Sequence, residues 1–168
     1  MIAPLPFIRD GQIVGNDWLT LADDTSLPAA GRVIVSLARW RKEREALLAS
    51  TWEVGVRIPN TDDVAALWPE LENRPLIAVD FPKWGDGRAF SQARVLRERF
   101  AFKGEIRATG DVARDQLQFM QRCGINAFEL RADQDPALCL KSLNDFDIAY
   151  QHATDKLQNV WATRRAQG

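Results

Sequence analysis

Two arginines and two carboxylates, Arg57, Asp80, Arg107 and Glu129, fall where their side chains would share one surface. Each lies in a short run that reads as a β-strand: residues 54–58, 76–81, 105–109 and 127–131. Successive strand side chains point to opposite faces. Val54, Val56 and Ile58 therefore share one face, and Gly55 and Arg57 the other. Ile77, Val79 and Phe81 oppose Leu76, Ala78 and Asp80. Glu105, Arg107 and Thr109 lie together, as do Ala127, Glu129 and Arg131, and an earlier run at 33–38 adds Ser36 and Ala38. One face is thus bulky and apolar, the other small and charged. Two chemistries fit the charged face. Arg57 and Arg107 can hold an anion while Asp80 and Glu129 act as acid–base groups or ligands for a hard metal. Alternatively, the opposite signs close into a buried salt-bridge network with no ligand. Spacing alone leaves both open.

A second candidate follows the run at 76–81. Residues 82–94, PKWGDGRAFSQAR, sit at the C-terminal end of a strand, where ligands bind in parallel α/β folds. Gly85 and Gly87 permit tight backbone geometry. Lys83, Arg88, Ser91, Gln92 and the first N–H groups of the following helix can hold an anion, with Trp84 closing over it. Gly110, Asp111 and Arg114 repeat the pattern more weakly, with Asp111 reading chiefly as a helix cap. If the chain acts on an anion, Arg57, Arg88 and Arg107 are expected to converge on one pocket.

Other chemistries lack their signatures. There is no GK[ST] phosphate loop, no GxGxxG, no GxSxG and no HExxH. His152 is the only histidine and reads as structural. Cys123 and Cys139 form no CxxC pair, so no metal site is expected, and both thiols are expected to be reduced and buried. The six tryptophans are spread out and read as packing residues. With 22 basic and 23 acidic residues the net charge is -1, which gives nucleic acid or an anionic membrane nothing to bind. The N-terminus lacks the pattern of a signal peptide, and no apolar segment reaches the ~20 residues that span a bilayer. The expected location is the cytoplasm.

The elements that must position these groups follow from the rhythm of the chain. Asp10-Gly11 between apolar runs marks an N-terminal β-hairpin or meander over residues 7–21, with a loop over 22–31. Strands at 33–38, 54–58, 76–81, 105–109, 127–131 and 147–151 then alternate with helices. The helices are expected over 41–50, from a cap at Thr61 or Asp62 through Leu71, over 88–100, from Asp111 to Cys123 with Gly124 as the stop, and from Pro136 onward. Such βα units imply about six parallel strands in one α/β domain of residues 1–168. Within it, 1–31 is the hairpin and loop, 32–152 the βα core and 153–168 a tail. A doubly wound, flavodoxin-like sheet would bury both faces under helices, including the charged one. A partial or compact (β/α) barrel accepts charges at its mouth, so it is the preferred architecture. A chain of 168 residues is short for a closed barrel, and a homodimer could complete it.

The segments IRDGQIVGNDW, VIVSLARW, VGVRIPN and FDIAYQ, together with a long block over residues 81–131, carry a resemblance. That block holds DGR-x-[FY]-S-x-AR-x-LR at Asp86–Arg97 and GD-x-x-x-DQ at Gly110–Gln116. The chain resembles a bacterial family of unknown function encoded beside sulfite reductase in sulfate-assimilation clusters and described as a probable oxidoreductase of sulfite reduction. The resemblance implies a role in that pathway, as an accessory protein working with sulfite reductase. It implies no mechanism, cofactor or catalytic residue. An enzyme acting on a small anion and an oxidoreductase with a diffusible cofactor are the other two readings.

Overall fold

The computed structural model describes residues 6–144 and 153–154. Eight strands form one sheet in the order β2-β1-β8-β7-β6-β5-β4-β3. They are β1 (Phe7–Arg9), β2 (Gln12–Ile13), β3 (Leu19–Thr20), β4 (Arg32–Ser36), β5 (Glu53–Ile58), β6 (Leu76–Phe81), β7 (Glu105–Gly110) and β8 (Ala127–Glu129). Strands β3 to β8 are parallel neighbours in sequence order, while β1 runs antiparallel to both β8 and β2. The order never reverses, so there is no switch point of the flavodoxin kind. The sheet curls into a half-barrel.

Five helices, α1 (Leu37–Ala49), α2 (Val64–Leu71), α3 (Arg88–Glu98), α4 (Leu117–Arg122) and α5 (Pro136–Ser142), are described. Their buried residues, among them Trp40, Leu67, Leu71, Ala93, Leu96 and Met120, join one core with Val35, Val56, Ile58, Ile77, Val79, Ile106 and Phe128. These strand residues are the ones that alternation assigns to the apolar face. The opposite, concave face carries a smaller cluster of Trp18, Ile34, Leu76 and Ala78.

Asp10 and Gly11 both have positive φ (50° and 72°), the conformation a two-residue hairpin requires. The hairpin stops at Ile13, however. Residues 14–18 leave one edge of the sheet and cross the concave face, and β3 then pairs with β4 at the far edge. The sixth parallel strand is therefore Leu19–Thr20. The strand expected at 147–151, His152 and most of the tail lie outside the described residues.

The starts of three helices differ from the sequence reading. Helix α1 begins at Leu37, because Ser36 ends β4 and caps the helix, its Oγ accepting from Arg39 N at 3.0 Å. Helix α2 is capped by Asp63, not Thr61 or Asp62, with Oδ1 accepting from Ala65 N at 2.9 Å. Asp111 caps nothing, because its N–H donates to Phe81 O at 2.7 Å and its carboxylate is engaged elsewhere. A turn of 3-10 helix at Arg114–Gln116 opens α4 instead. Cys123 and Cys139 are buried and not joined in a disulfide, as expected, and burial pushes the Cys139 thiol up.

Candidate functional site

Parallel pairing sets the concave face in rows. Ser36, Arg57, Ala78, Arg107 and Ala127 are successive partners across β4 to β8. One row nearer the strand C-termini, Asp80 pairs with Thr109. Glu129, two residues past Ala127, continues that upper row on β8 and faces Phe7 of β1. Asp80 and Glu129 are two strands apart, so their backbones lie ~10 Å from each other.

The two rows have different fates. Arg107 is fully buried, and the strap of residues 14–18 covers it. Its Nε donates to Glu105 Oε1 at 2.7 Å, its Nη1 donates to Asn16 Oδ1 at 2.9 Å, and its guanidinium lies 4.4 Å from the Phe7 ring centroid. Ala127, the partner of Arg107, leaves room for this long side chain. Asp17 of the same strap pairs with Arg9 and Arg32, drawing β1 and β4 together. The lower part of the charged face is thus a sealed structural cluster. Within it Arg107 pairs with Glu105 of its own strand, and Arg9 lies 3.7 Å from the same carboxylate.

Arg57, at the β5 end of the Arg107 row, and the two carboxylates of the upper row escape that cluster. Arg57 is exposed and makes no hydrogen bond or ion pair among the described residues. Asp80 has no ion-pair partner there either, and its Oδ1 lies 3.4 Å from Thr109 Oγ1. Glu129 Oε2 is sealed from solvent without a hydrogen-bond partner. The four charges therefore do not close into one network. A cation and two carboxylates remain uncommitted at the strand C-termini, the usual place for a barrel's chemistry.

The three arginines do not converge. Arg107 is enclosed by the strap. Arg88 folds back on Asp86 through two hydrogen bonds, 2.9 Å from Nε and 2.6 Å from Nη2, and this pairing holds the Asp86 carboxyl well below the usual carboxylate range. Arg88 and Ser91 line a separate groove between α2 and α3, in which Arg57 has no part. Lys83 is exposed in the turn before α3. Arg114 is exposed in the 3-10 turn, its N–H donating to Gln134 Oε1 at 3.0 Å.

One feature of the rim is legible only in three dimensions. Trp84 N donates to Asp111 Oδ2 at 2.9 Å, Trp84 Nε1 donates to Asp115 Oδ2 at 2.9 Å, and Trp84 O accepts from Gln116 Nε2 at 2.8 Å. The indole is nevertheless 56% exposed. Arg131 Nη1 donates to Asp111 Oδ1 at 2.8 Å and the same guanidinium grips Asp133, holding that carboxyl at about 2. A polar chain thus runs along the ends of β6, β7 and β8. The two sequence patterns at Asp86–Arg97 and Gly110–Gln116 flank this contact, with Asp111, Asp115 and Gln116 of the second fixing the tryptophan just before the first.

A family model for bacterial proteins of unknown function, DUF934, matches residues 55–161, more than half of the chain. The chain belongs to this family. The DUF934 match begins inside β5, so it takes in Arg57, Asp80, Glu129 and the Trp84 rim but not the strap. No curated protein matches the chain. Among the described residues, no three His, Cys, Asp or Glu side chains gather as a metal site, and no helix is long and apolar enough to cross a membrane.

Removing one of the tryptophan's partners tests the rim. Asp115→Ala is expected to shift the Trp84 indole N–H resonance and speed its exchange with solvent, at a stability cost of only ~0.5–1.5 kcal/mol. An unchanged indole resonance in a 1H–15N spectrum would show that Trp84 is not held as described.

Proposed function

We propose that the chain binds a small oxyanion on the concave face, at the C-terminal ends of β5 to β8, and serves assimilatory sulfite reduction as an accessory component. The observation that carries the binding site is Arg57, an exposed guanidinium free of any carboxylate partner, on the strand next to Asp80, which also lacks an ion-pair partner among the described residues. A planar donor fork matches an oxyanion, and its interaction with one is charge-assisted. Asp80, on the strand beside Arg57, would exchange a proton with a ligand held there, which makes catalysis on the anion the second reading, while Glu129 stands three strands away with Oε2 sealed. The pathway is supported by the resemblance carried at Asp86–Arg97 and Gly110–Gln116. It makes the ligand a sulfur oxyanion, the setting the cytoplasm and the partner sulfite reductase. Pairing of two half-barrels is the homodimer that would shield such a ligand.

Calorimetric titration with sulfite, sulfate and phosphate tests the site. Arg57→Glu is expected to weaken binding by tenfold or more, about 1.4 kcal/mol, while Arg57→Lys retains part of it. Equal binding by wild type and Arg57→Glu would place the anion elsewhere, and absence of binding by wild type would end the proposal. Growth of a deletion strain tests the pathway separately. Failure on sulfate and sulfite with rescue by sulfide is expected, and normal growth on all three would remove the link to sulfite reduction.

A further inference from the structure

Trp40 of α1 is fully enclosed, and two guanidiniums lie against its ring. Arg44 of the same helix is 5.6 Å from the ring centroid, and Arg74 of the loop before β6 is 4.6 Å from it. Arg74 immediately precedes β6, at the opposite end of the strands from the oxyanion site. Its backbone is fixed, with N–H donating to Leu71 O at 2.9 Å and Pro75 following. The indole attracts each cation through its negative face but brings no counter-charge. No counter-charge comes from elsewhere. Neither guanidinium makes a hydrogen bond or an ion pair among the described residues. The other arginines of α1 are served differently, since Arg39 pairs with Glu43 and Arg41 takes both oxygens of Glu70, at 3.1 and 2.8 Å. Glu70 also feels the charge of Arg44, but its oxygens are already taken.

Arg74 is half-buried, and the charge that acts on it is a like one. Burial, and then the neighbouring Arg44, push its guanidinium below the usual arginine value. Its Nε is sealed without an acceptor, but its two terminal nitrogens are not sealed and carry no partner, so a ligand from solvent can reach them. Arg44 is exposed. Two cations held together without an acid are stabilised by a small group that brings two negative charges. A phosphate does so both free and as a monoester, because its second pKa is about 6. A carboxylate or a sulfate ester brings only one. We propose that Arg44 and Arg74 form a binding site for a phosphate dianion near the N-terminal end of β6. Arg74, anchored against Trp40, would donate from its terminal nitrogens, and Arg44 would close on the anion from α1.

Two sources offer that chemistry, inorganic phosphate and a phosphomonoester. The test is a 1H–15N titration of the full chain at pH ~7.5, where both are largely dianionic. The probes are sodium phosphate, glycerol 3-phosphate and, at matched ionic strength, sodium chloride. The readouts are the Trp40 indole N–H and the Arg74 side-chain Nε–H. Both phosphates are expected to shift these resonances saturably, and chloride to act roughly tenfold more weakly or less. The tighter of the two phosphate probes identifies the source. Arg74→Gln should weaken binding about tenfold. Arg44→Gln, a change at an exposed side chain that holds no other element, should weaken it several-fold with the fold intact. Equal shifts from chloride, no saturable shift from either phosphate, or unaltered binding in Arg44→Gln would each overturn the assignment. Arg57→Glu should leave this titration unchanged, which separates it from the oxyanion site.

Discussion

Arg97→Ala should destabilise the fold by about 3–4 kcal/mol, the largest effect expected of a side chain outside the apolar core. The side chain leaves α3 and reaches four acceptors on two other segments. Nε donates to Gly124 O at 2.8 Å, Nη1 donates to Phe102 O and to Gly104 O at 2.5 and 2.9 Å, and Nη2 donates to Asn126 Oδ1 at 3.0 Å. No carboxylate pairs with it among the described residues, and burial pushes its pKa below the usual arginine value. Truncation would strand carbonyls in a site that water does not readily reach, each at ~1–3 kcal/mol if left unsatisfied. It would also loosen Asn126, whose Oδ1 accepts from Ile106 N at 2.9 Å and whose Nδ2 donates to Asp10 Oδ1 at 2.9 Å. The measurement is urea unfolding, with a lowered midpoint and an unchanged slope. Lysine cannot span acceptors that a guanidinium fork reaches, so Arg97→Lys should recover less than half of the loss. Arg94→Ala is the control: its exposed pair with Glu98 is worth only ~0.3–0.5 kcal/mol, and equal losses at 94 and 97 would refute the account.

Gly110→Ala is expected to cost about 3 kcal/mol and to disorder the rim. Gly110 has φ +94°, a conformation that L side chains rarely adopt. A Cβ there would also strike Phe81 O, a backbone atom fixed by the hydrogen bond from Asp111 N, and would lie 3.2 Å from Asp80 Oδ1. Asp80 can turn aside, but the Phe81 carbonyl does not yield through a side-chain rotation. Gly11→Ala isolates the conformational part, because Gly11 has φ +72° with nothing within 4 Å of the added methyl. Its cost should be ~1–2 kcal/mol. Gly110→Ala should exceed it and should shift the Trp84 indole resonance through Asp111. If the two variants unfold at the same denaturant concentration, the close approach to Phe81 is not real.

These two residues also show how much could be read in advance. Strand β6 was legible to the residue, because an apolar run bounded by Pro75 and Pro82 has no helical alternative. The two faces of the sheet and the half-barrel followed from alternation, a local property. Contacts made across the fold were not legible. Gly110-Asp111 reads locally as a weak anion-holding turn and a helix cap, yet the glycine is set by Phe81 and the aspartate by Trp84 and Arg131. Arg97 reads as one more exposed charge on an amphipathic helix. Asn16 and Trp18 carry no local signal for a crossing segment, so residues 14–20 looked like the rest of a meander. Arg57, Asp80 and Glu129 share a face with Arg107 as alternation requires. That Arg107 is enclosed while they are not depends on the strap.

The strap has a consequence for the order in which the chain can fold. Strand β1 pairs locally with β2, but its other neighbour exists only once β8 has been made, since Phe7 pairs with Glu129 and Arg9 with Ala127. Residues 14–18 cannot settle until the sheet they cross is present. Residues 7–20 therefore settle only after β4 to β8 are in place, fastening one margin of the sheet to the other. Pairings so distant in sequence slow folding and make it all-or-none. A fragment limited to residues 55–144 would lack that fastening, leaving Arg107 uncovered and the edges of β5 and β8 free to recruit foreign strands.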